Sequence, residues 1–157
     1  MALAQRGHSG PNVKLMPDLD VSSGGGKPKV LLVEDNDKIR KLWGESLEHY
    51  GFTPILASDG AEGLERFRGE PGVQAVITDY QTPRMNGLQL AEAIKQSSPD
   101  VGVILASGSS ELISRFEAVE HDPKRLDPHI DHFFSKPVDF DNEIIPLLGE
   151  MTKNTSI

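Results

Sequence analysis

The sequence of 157 residues contains no cysteine. This absence excludes disulfide-stapled scaffolds, zinc sites built on thiolates and enzymes with a cysteine nucleophile. Aromatic residues are few, at 6%, and no apolar run approaches the roughly 18 residues that a membrane-spanning helix requires. The N-terminus also lacks the basic and then apolar stretches of a secretory signal. We therefore expect a cytoplasmic protein whose domain makes no membrane contact.

Positive charge is scarce as well. Lys and Arg number 16 against 24 Asp and Glu, which gives a formal net charge of −8. This acidic balance argues against binding of nucleic acid by the chain as a whole. The hydrophobic fraction of 37% and the charged fraction of 25% are typical of a globular domain. The chain is long enough for one such domain with its own hydrophobic core.

Composition divides the chain into three parts. Residues 1–28 are rich in Gly, Pro and Ser and show no helix or strand period, so they are predicted to form a flexible lead-in or linker. Residues 29–150 are predicted to form the folded domain. Residues 151–157 are predicted to form a short C-terminal tail.

Short apolar runs alternate with amphipathic segments throughout the domain. Strands are predicted at 30–33, 53–57, 73–78, 101–106 and 130–135, each followed by a helix. Continuous apolar strands between helices favour an α/β fold: one five-stranded parallel sheet with helices on both faces, a doubly wound (βα)5 arrangement of the flavodoxin-like kind. Pro54 predicts an edge position for the second strand. Asp37 is predicted to cap the first helix, whose apolar stripe includes Leu42, Trp43 and Leu47.

Polar residues follow four of these strands at their carboxyl ends: Glu34 and Asp35, Asp79, Ser107, and Lys136. Each one alone is explained as a helix cap or a surface residue. Carboxyl ends of parallel strands share one edge of the sheet, so we expect the five side chains to converge there. Three crowded carboxylates need a cation, and Mg²⁺ or Mn²⁺ takes such oxygen ligands. With the ammonium of Lys136 and a hydroxyl, the set suits phosphoryl transfer.

The sequence resembles the receiver domain of bacterial two-component response regulators over about residues 29–150. The motifs are VEDN at 33–36, DYQTPRMNG at 79–87, LASG at 105–108 and FFSKP at 133–137. The resemblance implies that the chain is a phosphorylation-dependent signalling switch. It also implies that the protein is not an enzyme in the ordinary sense, since it catalyses only its own phosphorylation and dephosphorylation.

The resemblance further implies the role of each residue. Asp79 accepts a phosphoryl group from the phosphohistidine of a histidine kinase or a phosphotransfer domain. Asp35 binds Mg²⁺ directly and Glu34 binds it through water, while Asp79 and the backbone carbonyl of Gln81 complete the ligand set. Lys136 pairs with the phosphoryl oxygens, and the peptide bond to the following proline is expected to be cis.

The same resemblance implies a conformational response. Ser107 moves to hydrogen-bond the new phosphate, and Phe133 acts as an aromatic rotamer switch. Gln81 and Ser109 occupy the positions that tune the lifetime of the phosphate. A downstream protein partner is expected to bind the last two predicted helices and the fifth strand.

Several residues depart from the family pattern. Glu34 replaces the commoner Asp, and Thr82 stands where Met is usual. The segment 120–129 is longer than usual and contains two prolines, which predicts an ordered loop or a broken helix extension. Pro146 lies inside the last predicted helix and should kink or shorten it.

Other functions remain open at this point. A Mg²⁺-dependent phosphohydrolase would carry a second acid two residues after its nucleophile, where this chain has Gln81. A flavodoxin-like cofactor binder would need a phosphate loop after the first strand, where Glu34 and Asp35 stand instead. A non-phosphorylated pseudo-receiver is a further alternative. Among true receivers, the chain is a stand-alone protein, a phosphorelay intermediate or the receiver of a hybrid histidine kinase.

Overall fold

The computed structural model describes residues 26–153. Its sheet has the strand order β2-β1-β3-β4-β5, and every neighbouring pair is parallel. The strands are β1 Lys29–Val33, β2 Thr53–Ala57, β3 Val73–Asp79, β4 Gly102–Ser107 and β5 His132–Ser135. The helices are α1 Asp37–His49, α2 Gly60–Gly69, α3 Gly87–Ser97, α4 Ser110–Ala118, α5 Pro123–Leu126 and α6 Ile145–Lys153, the last preceded by a π-helical turn, Phe140–Ile144.

This architecture confirms the predicted five-stranded, doubly wound fold. β2 lies at one edge of the sheet, as Pro54 predicted. Residues 1–25 of the predicted lead-in lie outside the described residues, and so do residues 154–157 of the predicted tail. α6 continues to Lys153, beyond the predicted end of the domain at residue 150.

The hydrophobic core has two layers because successive strand residues point to opposite faces of the sheet. Leu31 and Val33 of β1 belong to the layer covered by α2, α3, α4 and α5. Val30 and Leu32 belong to the layer covered by α1 and α6. All four side chains are buried, which explains why β1 is a continuous apolar run.

The start and the apolar stripe of α1 differ from the prediction. Asn36, and not Asp37, is the N-cap, since its side-chain oxygen accepts a hydrogen bond from the Ile39 N–H at 3.0 Å. Leu42 was expected in the stripe but is 60% exposed. Each helical residue turns the side chain by about 100°, so Leu42 points well away from Leu47, which is buried in the core.

The long segment after α4 is a broken helix extension. Glu120 and His121 both have positive φ angles, of 59° and 61°, and they end the helical path. Asp122 then caps α5 by accepting a hydrogen bond from the Lys124 N–H. Leu126 of α5 is buried in the core, so the extra residues are packed against the domain.

Pro146 is accommodated at the start of α6. The N–H of Ile145 donates to the carbonyl of Phe140, five residues earlier, at the end of the π-helical turn. Pro146 then occupies the second position of α6, where a missing N–H costs little. The predicted break is therefore a change of helix type just before the proline.

The carboxylate of Asp131 fixes the segment after α5 to the sheet. We expect Asp131→Asn to lower the free energy of unfolding by about 2 kcal/mol at neutral pH. Its carboxylate lies 2.8 Å from the ammonium groups of Lys95 and Lys124 and 2.8 Å from the Val103 N–H. Burial alone would raise the pKa of Asp131, but these three partners together lower it. Denaturant unfolding of both chains measures the difference.

The pH dependence of that difference has a definite sign. Because folding lowers the pKa of Asp131, the stabilisation is complete above the pKa of an unfolded aspartate, about 3.9. It is lost as the pH falls through the lower folded value. Asp100→Asn removes an exposed carboxylate and should leave stability unchanged. An Asp131→Asn chain as stable as the Asp100→Asn control at pH 7 would contradict the assignment.

Candidate functional site

The register of the strands aligns their carboxyl ends at one edge of the sheet. Val33 of β1 pairs with Thr78 of β3, and Asp79 pairs with Ala106 of β4. Ser107 pairs in turn with Ser135, the last residue of β5. The polar residues that end or follow these strands therefore share one edge, as predicted from the sequence.

Three carboxylates meet at this edge. Glu34, Asp35 and Asp79 each offer an oxygen atom, and these atoms lie within 4.8 Å of one another. Glu34 is 1% exposed, Asp79 is partly buried and Asp35 is exposed. The Nζ atom of Lys136 lies 3.0 Å from Glu34 Oε1 and 3.4 Å from Asp79 Oδ2. Four of the predicted site residues thus form one cluster.

Glu34 is held by contacts on both its side chain and its backbone. Its second carboxylate oxygen accepts a hydrogen bond from the Asn36 N–H at 3.0 Å, and Arg40 Nη1 donates to its carbonyl oxygen at 2.8 Å. Asn36 belongs to the VEDN motif but had no predicted role of its own, and Arg40 was not among the predicted site residues. Asn36 lies two residues after Glu34 and is exposed. In the sequence it is a polar residue typical of a turn, and nothing indicates its contact with Glu34.

The carboxylates of this cluster are electrostatically unfavourable without a further cation. Burial raises the pKa of Glu34, although the Asn36 N–H and Lys136 oppose the shift. Burial also raises the pKa of Asp79, and Asp35 raises it further, while Lys136 lowers it. The cluster holds three carboxylates, and the ammonium of Lys136 pairs with two of them, so the cluster has an excess of negative charge.

Lys136 keeps its positive charge in this setting. Burial alone would lower its pKa, but Glu34 and Asp79 together raise it. Its backbone N–H donates to the Ser107 carbonyl at 2.9 Å, which ties the loop after β5 to β4. Its Nζ lies 5.9 Å from the ring centroid of Trp43, within the range of a cation–π interaction. From the sequence, Trp43 was predicted only as a member of the apolar stripe of α1.

The composition of this cluster fits a hard divalent cation. Mg²⁺ and Mn²⁺ prefer oxygen ligands, and carboxylates supply both the donor atoms and the charge. Burial is the main cause of the raised pKa of Asp79, and a cation would offset the repulsion from Asp35 that raises this pKa further. Gln81 is exposed and follows β3 by two residues, so the role of its carbonyl stays a prediction.

The two serines lie beside the cluster, after β4. Ser107 is 1% exposed, and its hydroxyl oxygen accepts a hydrogen bond from the Ser109 N–H at 3.0 Å. Ser109 is the N-cap of α4, since its hydroxyl oxygen accepts from the Leu112 N–H at 3.2 Å. Within residues 26–153, no hydrogen bond joins Ser107 to Asp79. The structure therefore brings Ser107 to the predicted edge of the sheet but not into a hydrogen bond with Asp79.

Phe133 lies inside the core on the α4 side of the sheet. Its side chain is 8% exposed, and its ring centroid lies 4.6 Å from that of Phe116 in α4. A change in the position of this ring would therefore alter its packing against α4. The peptide bond between Lys136 and Pro137 is cis, as predicted.

Comparison with known sequences gives one consistent result. The profile described as "Response regulator receiver domain" matches residues 30–145. The response regulator receiver protein CpdR of Brucella abortus is 30% identical over 123 residues, which cover 76% of this chain and 96% of that protein.

Two longer relatives match only in part. The probable transcriptional regulator ycf27 of Guillardia theta is 34% identical over 104 residues, covering 66% of this chain but 39% of that protein. The sensor kinase CckA of Brucella abortus is 36% identical over 87 residues, covering 55% of this chain and 9% of that kinase. The chain therefore corresponds to one part of such proteins.

Solved structures agree with the fold. The response regulator TrrA of Thermotoga maritima, solved in complex with Mg²⁺-BeF, superposes with a TM-score of 0.65 at 26% identity. The superposition covers 79% of this chain and 98% of that chain. In the described part of the chain, no helix has both the length and the apolar character needed to cross a bilayer.

Proposed function

This chain belongs to the response regulator receiver family of two-component signalling, and we propose that it is a phosphorylation-dependent switch with Asp79 as the phosphoacceptor. The observation that carries the proposal is the position of Lys136, which is 102 residues from Glu34 in sequence and contacts both Glu34 and Asp79. An ammonium between the buried carboxylate of Glu34 and the partly buried carboxylate of Asp79, beside a third carboxylate, is an arrangement suited to an incoming phosphoryl group.

The reaction is the transfer of a phosphoryl group from a phosphohistidine of a histidine kinase or phosphotransfer domain. An oxygen of the Asp79 carboxylate forms a bond to phosphorus while the phosphorus–nitrogen bond breaks. The electron pair of that bond returns to the imidazole ring, which takes up a proton from solvent. Lys136 is free to turn from the carboxylate of Asp79 to the new phosphoryl oxygens, since both lie at the same edge.

Glu34, Asp35, Asp79 and the backbone carbonyl of Gln81 would hold Mg²⁺ or Mn²⁺. A bound divalent cation supplies charge neutralisation for the phosphoryl oxygens. The chain's own contribution is to fix the carboxylates before the donor arrives. Glu34 is fixed by Asn36 and Lys136, so both oxygens of its longer side chain have a partner.

Phosphorylation adds negative charge and acceptor oxygens at residue 79. Ser107 lies on the neighbouring strand, and its hydroxyl hydrogen is available to donate to such an oxygen, because its hydroxyl oxygen is the acceptor in the hydrogen bond from the Ser109 N–H. Movement of Ser107 would open space that Phe133 can occupy. Since Phe133 packs on Phe116, the change would reach α4, and the partner-binding face would be formed by α4, β5 and α6.

The phosphohydrolase alternative is weaker. Gln81 stands two residues after Asp79, and its amide cannot exchange a proton as a general acid or base would.

The match to CckA, a sensor kinase, supports a hybrid-kinase origin for the chain, whereas the match to CpdR over 96% of its length supports a stand-alone receiver. We propose a cytoplasmic location for either origin.

Incubation of the chain with acetyl phosphate tests the proposal. We expect one covalent phosphoryl adduct in the presence of Mg²⁺ and none when a chelator is added, because the crowded carboxylates would repel the anionic donor. Intact-mass spectrometry under both conditions measures the adduct. Equal labelling in chelator would contradict the metal role of Glu34 and Asp35. Sustained release of phosphate from a small phosphate ester would favour the hydrolase instead.

A further inference from the structure

The loop between β3 and α3, residues 80–86, follows the phosphoacceptor directly and carries the carbonyl of Gln81. Its two ends are joined, since the N–H of Gly87 donates to the Tyr80 carbonyl at 2.9 Å. Tyr80 is tied in turn to β4 by a 3.1 Å hydrogen bond to the Ala106 carbonyl. The geometry of this loop therefore sets the direction of the backbone beside Asp79.

The tip of the loop is held by an ion pair with the start of α2. Arg84 Nη2 lies 2.9 Å from Asp59 Oδ2 and 3.1 Å from Oδ1, and Nε lies 3.2 Å from Oδ2. The Asp59 side chain is only 12% exposed. The backbone φ angle of Arg84 is 70°, a value that residues other than glycine rarely adopt. The paired contacts with Asp59, which is 25 residues away in sequence, hold Arg84 in that conformation.

A second contact lies beside this ion pair. The Thr82 hydroxyl oxygen accepts a hydrogen bond from the Gly60 N–H at 3.2 Å, and the same hydroxyl donates to the Met85 carbonyl. A Cβ atom on Gly60 would overlap the Met85 carbonyl, so the loop packs directly on the α2 backbone. Thr82, a departure from the family pattern, therefore has a structural use.

We propose that Asp59 and Arg84 are positioning residues that hold the 80–86 loop in its metal-binding geometry before the metal arrives. The inference rests on the proposed function, because the loop matters to a cation only if Gln81 supplies a ligand. A loop fixed in advance need not be ordered when the cation binds, so affinity is higher. Loss of the ion pair weakens the site although neither residue touches the metal.

Asp59 has a second task that must be separated from this one. Its carboxylate also accepts a hydrogen bond from the Glu62 N–H at 2.8 Å and so caps α2. Asparagine caps helices as well as aspartate does. Asp59→Asn therefore keeps the cap and removes the charge that Arg84 requires.

The test is a double-mutant cycle with Mg²⁺ alone as the ligand. Isothermal titration of MgCl₂ is carried out on the wild type, Asp59→Asn, Arg84→Ala and the double variant. We expect each single variant to bind Mg²⁺ about 10-fold more weakly and the double variant to be no weaker than either. Amide hydrogen exchange in residues 80–86 should be faster in all three variants without metal.

Matched controls separate positioning from general stability. Arg66→Ala removes the partner of Glu62 on the same helix and should leave both Mg²⁺ affinity and loop exchange unchanged. Arg84→Lys keeps the positive charge without the paired contacts, should give an intermediate affinity, and serves in place of Arg84→Ala if that chain does not fold.

The outcomes distinguish the two proposals. If Asp79 of the wild type accepts no phosphoryl group, the proposed function is wrong, and the loop exchange measured without metal still decides whether the ion pair holds the loop. If Asp79 is phosphorylated but the variants bind Mg²⁺ as tightly as the wild type, the positioning role is wrong.

Discussion

An Asp79→Asn chain is expected to take up no phosphoryl group from acetyl phosphate. The amide oxygen carries no negative charge and cannot form a stable acyl phosphate, and the substitution also removes one of three clustered carboxylates. Intact-mass spectrometry of wild type and variant, followed by peptide mapping of the adduct, measures the effect. The loss should be complete. Glu34 is the other carboxylate of the cluster that contacts Lys136, and it is almost fully buried, so it cannot take the place of Asp79.

Two controls accompany this experiment. Asp100→Asn removes an exposed carboxylate before β4, at the opposite end of the sheet, and should be labelled like the wild type. Asp79→Asn should unfold at no lower denaturant concentration than the wild type, because burial raises the pKa of Asp79 and its charge therefore opposes folding. An adduct of wild-type abundance on the Asp79→Asn chain would show that the nucleophile is another residue.

Lys136→Met is expected to slow labelling by about 100-fold or more while increasing the affinity for Mg²⁺. Loss of a group placed to stabilise developing charge costs rates of this size. Methionine keeps an apolar stem of similar length but lacks the ammonium that lies 3.0 Å from Glu34 and 3.4 Å from Asp79. With that charge removed, the carboxylates attract a cation more strongly. Labelling rates and Mg²⁺ titrations on the same preparation measure both effects.

The opposite directions of these two effects separate a chemical role of Lys136 from a structural one. A variant that is merely misfolded would lose labelling and Mg²⁺ binding together. Lys41→Met removes an exposed ammonium on α1 that pairs with Glu45 and should change neither property. Labelling of Lys136→Met at the wild-type rate would refute the role assigned to the ammonium.

The sheet edge could be predicted from the sequence because it depends on local pattern and topology. Four buried residues of β1, 30–33, form a continuous apolar run, and such runs between helices specify parallel strands whose carboxyl ends coincide. Glu34 and Asp79 then had to lie at one edge, whatever the details of packing. The contact of Lys136 with both is the structural result of that topology.

Contacts that depend on side-chain direction could not be predicted in the same way. Asn36 and Asp37 are both good helix caps, and only the backbone geometry selects Asn36. Asp59 caps α2, a role that is common for aspartate, but its pairing with Arg84 depends on a positive φ angle in a loop. The hydroxyl of Ser107 likewise turns toward the Ser109 N–H, a choice that no sequence period encodes.

The two outer strands of the sheet have a consequence for solubility. β2, at one edge, contains Pro54, which removes a backbone donor that a neighbouring chain would need, and β5, at the other edge, has only four residues. Short or proline-containing borders discourage edge-to-edge pairing between molecules. Both borders therefore disfavour the joining of this sheet to the sheet of another copy of the chain.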